Sequence, residues 1–222
     1  MSKTYRQALG FSNATDTKNF LTAKDIVSIN HDLLHQYNTR LTDIFQRIQS
    51  TLPHPPFPIE SIVQSAYNTL TTHNILPTLS NHGRTPESVY YSWLQGHLTT
   101  IVFKPLIESE LSCNLSQNGA DDLTNPTTFS RKSDPALVDH QKKIYVEVQG
   151  GFKGSKIDIK RSKVKTSNTH QYYIAAFDCF NGQYVILNTK ELLNLPESEW
   201  YENVLWEGAL CYTVPENRMG NW

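Results

Sequence analysis

A chain of 222 residues, 38% hydrophobic and 18% charged, has the composition of an ordinary globular protein, and its length points to one domain, residues 1–222, with a single core. No apolar run approaches the ~20 residues that a membrane-spanning helix needs, and the opening M-S-K-T-Y-R-Q-A-L-G-F-S-N lacks the apolar stretch of a signal peptide, so no membrane partner and a cytoplasmic location are expected. The net charge of −1 does not announce a nucleic-acid binder, and the three scattered cysteines, Cys113, Cys179 and Cys211, match no zinc or redox pattern.

The first third reads as helical. Thr22 with Asp25 three positions on forms an N-cap signal, and Ile26, Ile29, Leu33, Tyr37, Leu41, Ile44 and Ile48 follow at helical spacing. The run ends at L-P-H-P-P-F-P, whose prolines remove amide donors. A second helix is expected over Ile59 to His73. A third starts at T-P-E-S, with Thr85 as cap and Pro86 in the first turn, and Pro105 is expected to kink or end it before L-I-E-S-E-L. The histidines of this part, His31, His35, His73 and His97, show no metal-binding spacing.

Beyond Leu111 the texture changes to strands. S-D-P-A-L-V-D, K-I-Y-V-E-V-Q, Q-Y-Y-I-A-A-F-D and Q-Y-V-I-L-N are short, rich in β-branched and aromatic residues, and separated by turn residues. Asn181-Gly182 signals a tight hairpin between the last two. T-K-E-L-L-N-L reads as a short helix capped by Thr189, and the tail, rich in tryptophan and tyrosine, yields no assignment. Helices followed by a mixed sheet give an α/β (α+β) fold, with residues 1–112 mainly helical and 113–222 forming a sheet core.

The chemistry concentrates in S-D-P-A-L-V-D-H-Q-K-K-I-Y-V-E-V-Q. Asp134 opens the first strand and Glu147 interrupts the second, 147 − 134 = 13 residues later, a spacing that suits an antiparallel pair with its acids side by side. Two such carboxylates repel unless a cation sits between them, and oxygen-only ligands suit Mg²⁺. A metal so held activates water and stabilises charge at phosphate. Residues 141 to 165 carry eight basic groups against two acids, a local charge of 8 − 2 = +6, positioned to grip neighbouring phosphates. Asp121 and Asp122 read as loop residues, one of them a minor candidate for a water-mediated metal contact, and Glu108 and Glu110 read as solvated helix acids.

This constellation resembles the PD-(D/E)xK nuclease superfamily, above all the type II restriction endonucleases, whose pattern is an acid at the start of one strand and acid-x-Lys on the next. The resemblance covers about residues 130 to 190. It implies a restriction-endonuclease-like core, a mixed central β-sheet flanked by helices, with the N-terminal helices supplying dimer and DNA-flanking contacts. It further implies Mg²⁺ on Asp134, Glu147 and the backbone carbonyl of Val148, with double-stranded DNA as substrate, a short palindromic site read by a homodimer, and a cognate DNA methyltransferase in the same restriction-modification system.

The sequence departs from that pattern in two places. The first motif reads S-D-P, and Gln149 stands where the superfamily usually carries lysine. A glutamine orients a water by hydrogen bonds but supplies no positive charge; Lys153 or Lys156, folding back across a Gly150-Gly151 turn, would supply it. A rival acid-x-Lys, Asp158-Ile159-Lys160, restores the lysine, although G-S-K-I-D-I-K-R-S-K is polar for a buried strand. Residues 144 to 160 could also form a hairpin entering a DNA groove. Arg131, Lys132, Lys153, Lys156, Lys160, Arg161, Lys163 and Lys165 are candidate DNA contacts, while Ser167, Asn168 and His170 are candidates for base edges by position alone.

The alternatives are a structure-selective repair or junction nuclease of the same superfamily, a non-catalytic DNA-binding module, or a globular protein whose basic run is only a solvated face. In the last case Glu147 guards an edge strand and Asp134 starts a turn.

Overall fold

The computed structural model describes residues 29–79, 84–124, 135–151, 157–203 and 208–222. The chain divides into two compact units, residues 1–45 with 58–95, and residues 46–57 with 96–222. No helix among the described residues is long and apolar enough to cross a membrane.

The first unit is helical. Helix α1 (His31–Gln49) opens at Asn30, whose side-chain oxygen accepts the Leu33 N–H at 3.0 Å and so satisfies one of the orphan donors of the first turn. The expected cap at Thr22 lies outside the described residues. Its buried stripe in this unit is Leu34, Asn38, Leu41 and Phe45, turned by about one residue from the Leu33, Tyr37, Leu41, Ile44 stripe that periodicity suggests. The polar Asn38 hides this stripe from a hydrophobicity count. It is buried because the Tyr90 hydroxyl donates to its side-chain oxygen at 2.6 Å, as a buried amide requires. Helix α2 (Ile59–Thr72) buries Ile59, Val63, Ala66 and Leu70, close to the span expected.

Helix α3 (Pro86–Leu111) begins where the sequence indicates, with the Ser88 N–H donating to Thr85 Oγ1 at 3.2 Å. It does not end at Pro105, one of the two outcomes expected there, but continues through the proline to Leu111. The proline removes one helical hydrogen bond, but Val102, Phe103 and Ile107 around it are fully buried. Packing of that face outweighs the local cost.

The second unit holds two sheets. A six-stranded sheet runs β1 (Ser116–Gln117), β2 (Leu137–Asp139), β3 (Ile144–Gly151), β5 (Gln171–Asp178), β6 (Gln183–Asn188), β9 (Gly220–Asn221) in spatial order, and a three-stranded sheet runs β4 (Asp158–Lys160), β8 (Ala209–Thr213), β7 (Tyr201–Asn203). Among the described residues every pairing is antiparallel except β3 with β5, which is parallel over all eight residues of each strand. The fold is therefore mixed α/β with a mostly antiparallel central sheet.

The two faces of that sheet differ. Ile174, Ala176, Val185 and Leu187 share one face and pack with Ile157, Ile159, Leu192, Trp200, Tyr212 and Val214, which come from the small sheet and its surroundings. Phe177 points to the opposite face, where its ring stacks on Phe103 of α3 at 4.0 Å and Trp222 lies 4.8 Å from Phe103.

Several local expectations change. The glycines at 150 and 151 do not form a turn; they pair with Phe177 and Asp178 and complete β3. The hairpin after β5 uses a four-residue loop, Cys179 to Gly182, because the Asp178 carboxylate accepts the N–H groups of Phe180 and Asn181; Gly182 takes the positive φ of 70° that closes it. The helix α4 (Thr189–Leu193) is capped by Asn188, whose side chain accepts the Lys190 N–H, and not by Thr189. The Thr189 hydroxyl instead lies 2.7 Å from the Lys165 carbonyl and 3.1 Å from that of Tyr172.

Candidate active site

Strand β3 carries the site because of where it lies. Antiparallel pairing of Leu137 with Val146 brings the N-terminal end of β2 to the part of β3 that holds Glu147. On the other side, Glu147 pairs with Ile174 and Gln149 with Ala176. Residues paired in this way share a face, so Glu147 and Gln149 point toward the small sheet, while Val146 and Val148 point away. A charged side chain on that half-buried face needs a partner.

Glu147 finds one in Lys163, whose ammonium lies 2.5 Å from Oε1; the side chains are 18% and 39% exposed. Its Oε2 accepts no hydrogen bond among the described residues. Lys163 sits in the single 3-10 turn Arg161–Lys163 that follows β4. Sequence reasoning placed Lys163 among DNA contacts and missed it as the partner of Glu147. No local pattern signals it, since the two are 163 − 147 = 16 residues apart and belong to different layers.

Gln149 donates its amide N–H to the carbonyl oxygen of Asp158 at 2.7 Å. The segment judged too polar for a strand is one: Ile157 and Ile159 are buried in the core between the sheets, while Asp158 and Lys160 flank Ile159. Strands β3 and β4 belong to separate sheets, which replaces the hairpin considered for residues 144 to 160. The Asp158 carboxylate is used within the small sheet. One oxygen accepts the Thr213 hydroxyl at 2.7 Å and the other the Asn203 amide at 3.2 Å.

Of the basic candidates, Arg161 makes a two-pronged ion pair with Glu197 at 2.8 and 2.9 Å and lies over the Trp200 ring at 5.3 Å. Hydrogen bonding to Glu197 raises its pKa further and lowers that of Glu197. Lys160 and Lys165 flank the same turn, both partly exposed. Asp134, Arg131, Lys132, Lys153 and Lys156 lie outside the described residues. His170 packs edge-on against Tyr145 at 4.9 Å, and its Nδ1 lies 2.7 Å from Thr169 Oγ1 and 3.1 Å from Ser167 Oγ. Tyr145 also stacks on Tyr172 at 5.1 Å. Two places before Glu147 on β3, Tyr145 extends the same face.

The loop and helix acids have local roles. Asp121 pairs with the buried His97 at 3.1 Å, Asp122 accepts from Thr124, Glu108 accepts the Leu115 N–H at 2.7 Å, and Glu110 accepts the Tyr184 hydroxyl at 2.7 Å. Among the described residues, no three His, Cys, Asp or Glu side chains gather as a metal site. What the described part of β3 offers a hard cation is one carboxylate oxygen of Glu147 without a hydrogen bond, a donor of the kind Mg²⁺ prefers. No family model matches this chain, and no curated protein or solved structure matches it either.

Proposed function

We propose that this chain is a Mg²⁺-dependent endonuclease that hydrolyses phosphodiester bonds of double-stranded DNA at a short sequence, with a restriction-endonuclease-like core built on β2, β3 and β5. The observation that carries this reading is the Glu147–Lys163 pair: a carboxylate in the middle of a central strand, with an ammonium held against it. In the acid-x-Lys pattern the lysine comes two residues after the acid. Here Lys163 brings that charge from the turn after β4, and Gln149 need not supply it.

In this reading Glu147 and Asp134 would hold the cation through carboxylate oxygens. Held there, Mg²⁺ would supply Lewis acidity to a water and to the phosphate oxygens. Lys163 stabilises the same developing negative charge as a fixed point charge. Lys160 and Lys165 face the neighbouring phosphates, where they add affinity without reading sequence. A palindromic site calls for two copies of the chain, each cutting one strand, and a methyltransferase of the same system would protect the host site.

Incubation of the purified protein with plasmid DNA, in Mg²⁺ and in EDTA, tests the proposal. Discrete fragments that need Mg²⁺ are expected, and Asp134→Ala is expected to abolish them while retaining DNA in a gel-shift assay. Intact but retarded plasmid under all conditions would make the chain a binding module. A smear, or preference for branched DNA, would make it a structure-selective nuclease.

A further inference from the structure

We infer that Gln149 is a positioning residue: its amide fastens the outer edge of β4, and through β4 and the turn that follows it sets Lys163 against Glu147. This deepens the nuclease reading and rests on it for the catalytic consequence, but the positioning itself is a property of the fold.

Strand β4 is an edge strand of the small sheet, with β8 on one side only. The Val214 N–H donates to the Ile157 carbonyl at 2.9 Å, and Asp158 pairs with Thr213. Because hydrogen-bonded and non-hydrogen-bonded pairs alternate along an antiparallel ladder, the Asp158 carbonyl points away from β8. In a half-buried position that carbonyl needs a donor, and Gln149 provides one from the neighbouring layer at 2.7 Å. Two further anchors hold the same segment. The Asp158 carboxylate is fixed by Thr213 and Asn203, and Arg161 is fixed by Glu197 and Trp200. Lys163 follows five residues after Asp158 and ends at Glu147, two positions before Gln149 on the same face of β3. Two side chains on one face of β3 therefore bracket this segment, Gln149 holding its start at Asp158 and Glu147 its end at Lys163.

A glutamine suits this task better than a lysine. It reaches a carbonyl as a neutral donor, whereas a lysine at 149 would place a second ammonium near that of Lys163 and compete for Glu147.

The test is the reactivity of Lys163 toward reductive methylation, followed by mass spectrometry, with Lys104 on α3 as internal reference. Reagent must reach the amine, so a Lys163 side chain held against Glu147 labels more slowly than one released to solvent. In Gln149→Leu, which removes the donor at similar volume, labelling of Lys163 is expected to rise several-fold at constant Lys104 labelling. In the same variant kcat for DNA cleavage is expected to fall by about tenfold or more, the usual loss when a supporting partner is removed, with KM for DNA unchanged. Gln149→Asn, one methylene shorter, is expected to behave alike and serves if the leucine variant does not fold. Unchanged Lys163 labelling in both variants overturns the inference, whatever the cleavage rates. Raised labelling in a protein whose wild type cuts no DNA supports the positioning role and removes only the nuclease reading.

Discussion

Replacing Glu147 by glutamine separates chemistry from stability, because the structure bounds the second. The Glu147–Lys163 pair is partly exposed, at 18% and 39%. Solvent therefore screens it, and its loss is expected to cost about 0.2–1 kcal/mol. For a chain of this size 1 kcal/mol corresponds to about 2–4 °C in Tm, so Glu147→Gln should melt within about 4 °C of the wild type. If the carboxylate holds the cation, the loss of cleavage should be at least about 100-fold, since even supporting partners of metal ligands cost 10–100-fold when removed. The assay is a melting curve by differential scanning fluorimetry together with plasmid cleavage in Mg²⁺ over a time course. Cleavage within tenfold of wild type at an unchanged Tm would refute the role given to Glu147. A Tm lowered by more than about 10 °C would refute the stability argument and make the residue chiefly structural.

Two further outcomes concern the scaffold. Asp139, 5% exposed, accepts the Lys142 N–H at 2.8 Å and the Asn114 N–H at 3.0 Å, and these bonds hold its pKa below the usual carboxylate range. A depressed folded-state pKa means that the stabilisation is present above the unfolded value, about 3.9, and is lost as pH falls through the folded one. Urea midpoints of the wild type should therefore drop on acidification below about pH 4, and the Asp139→Asn variant should lose that part of the slope. Phe103, fully buried and stacked on Phe177 at 4.0 Å, should cost about 3–5 kcal/mol on change to alanine, with a Tm lower by roughly 6–20 °C in a melting scan.

The sequence by itself determined the elements whose signal is local. Short runs rich in β-branched and aromatic residues, bounded by turn residues, marked β5 and β6 over their full spans, and the P-E-S start of α3 was legible because capping needs only neighbouring residues. Glu147 stood out because a charge in an apolar strand is conspicuous without any partner in view. Pro105 reads locally as a kink or an end, and the buried face around it carries the helix past the second of these. The strand β4 looked too polar because three residues are too few for a period to show, and its burial comes from the sheet packed on it.

The tertiary structure alone decided who meets whom. The parallel pairing of β3 with β5 sends the intervening chain across one face of the sheet, and that crossover delivers Lys163 to Glu147 and the Asp158 carbonyl to Gln149. The tail, illegible as sequence, supplies two strands of the small sheet and the edge strand β9, with Trp222 donating to Thr51 at 3.0 Å. Such contacts join residues far apart in the chain, and no spacing encodes them. Gln149 looked like a missing charge in sequence; in the fold Lys163 stands against Glu147 from another layer, and Gln149 donates to the Asp158 carbonyl.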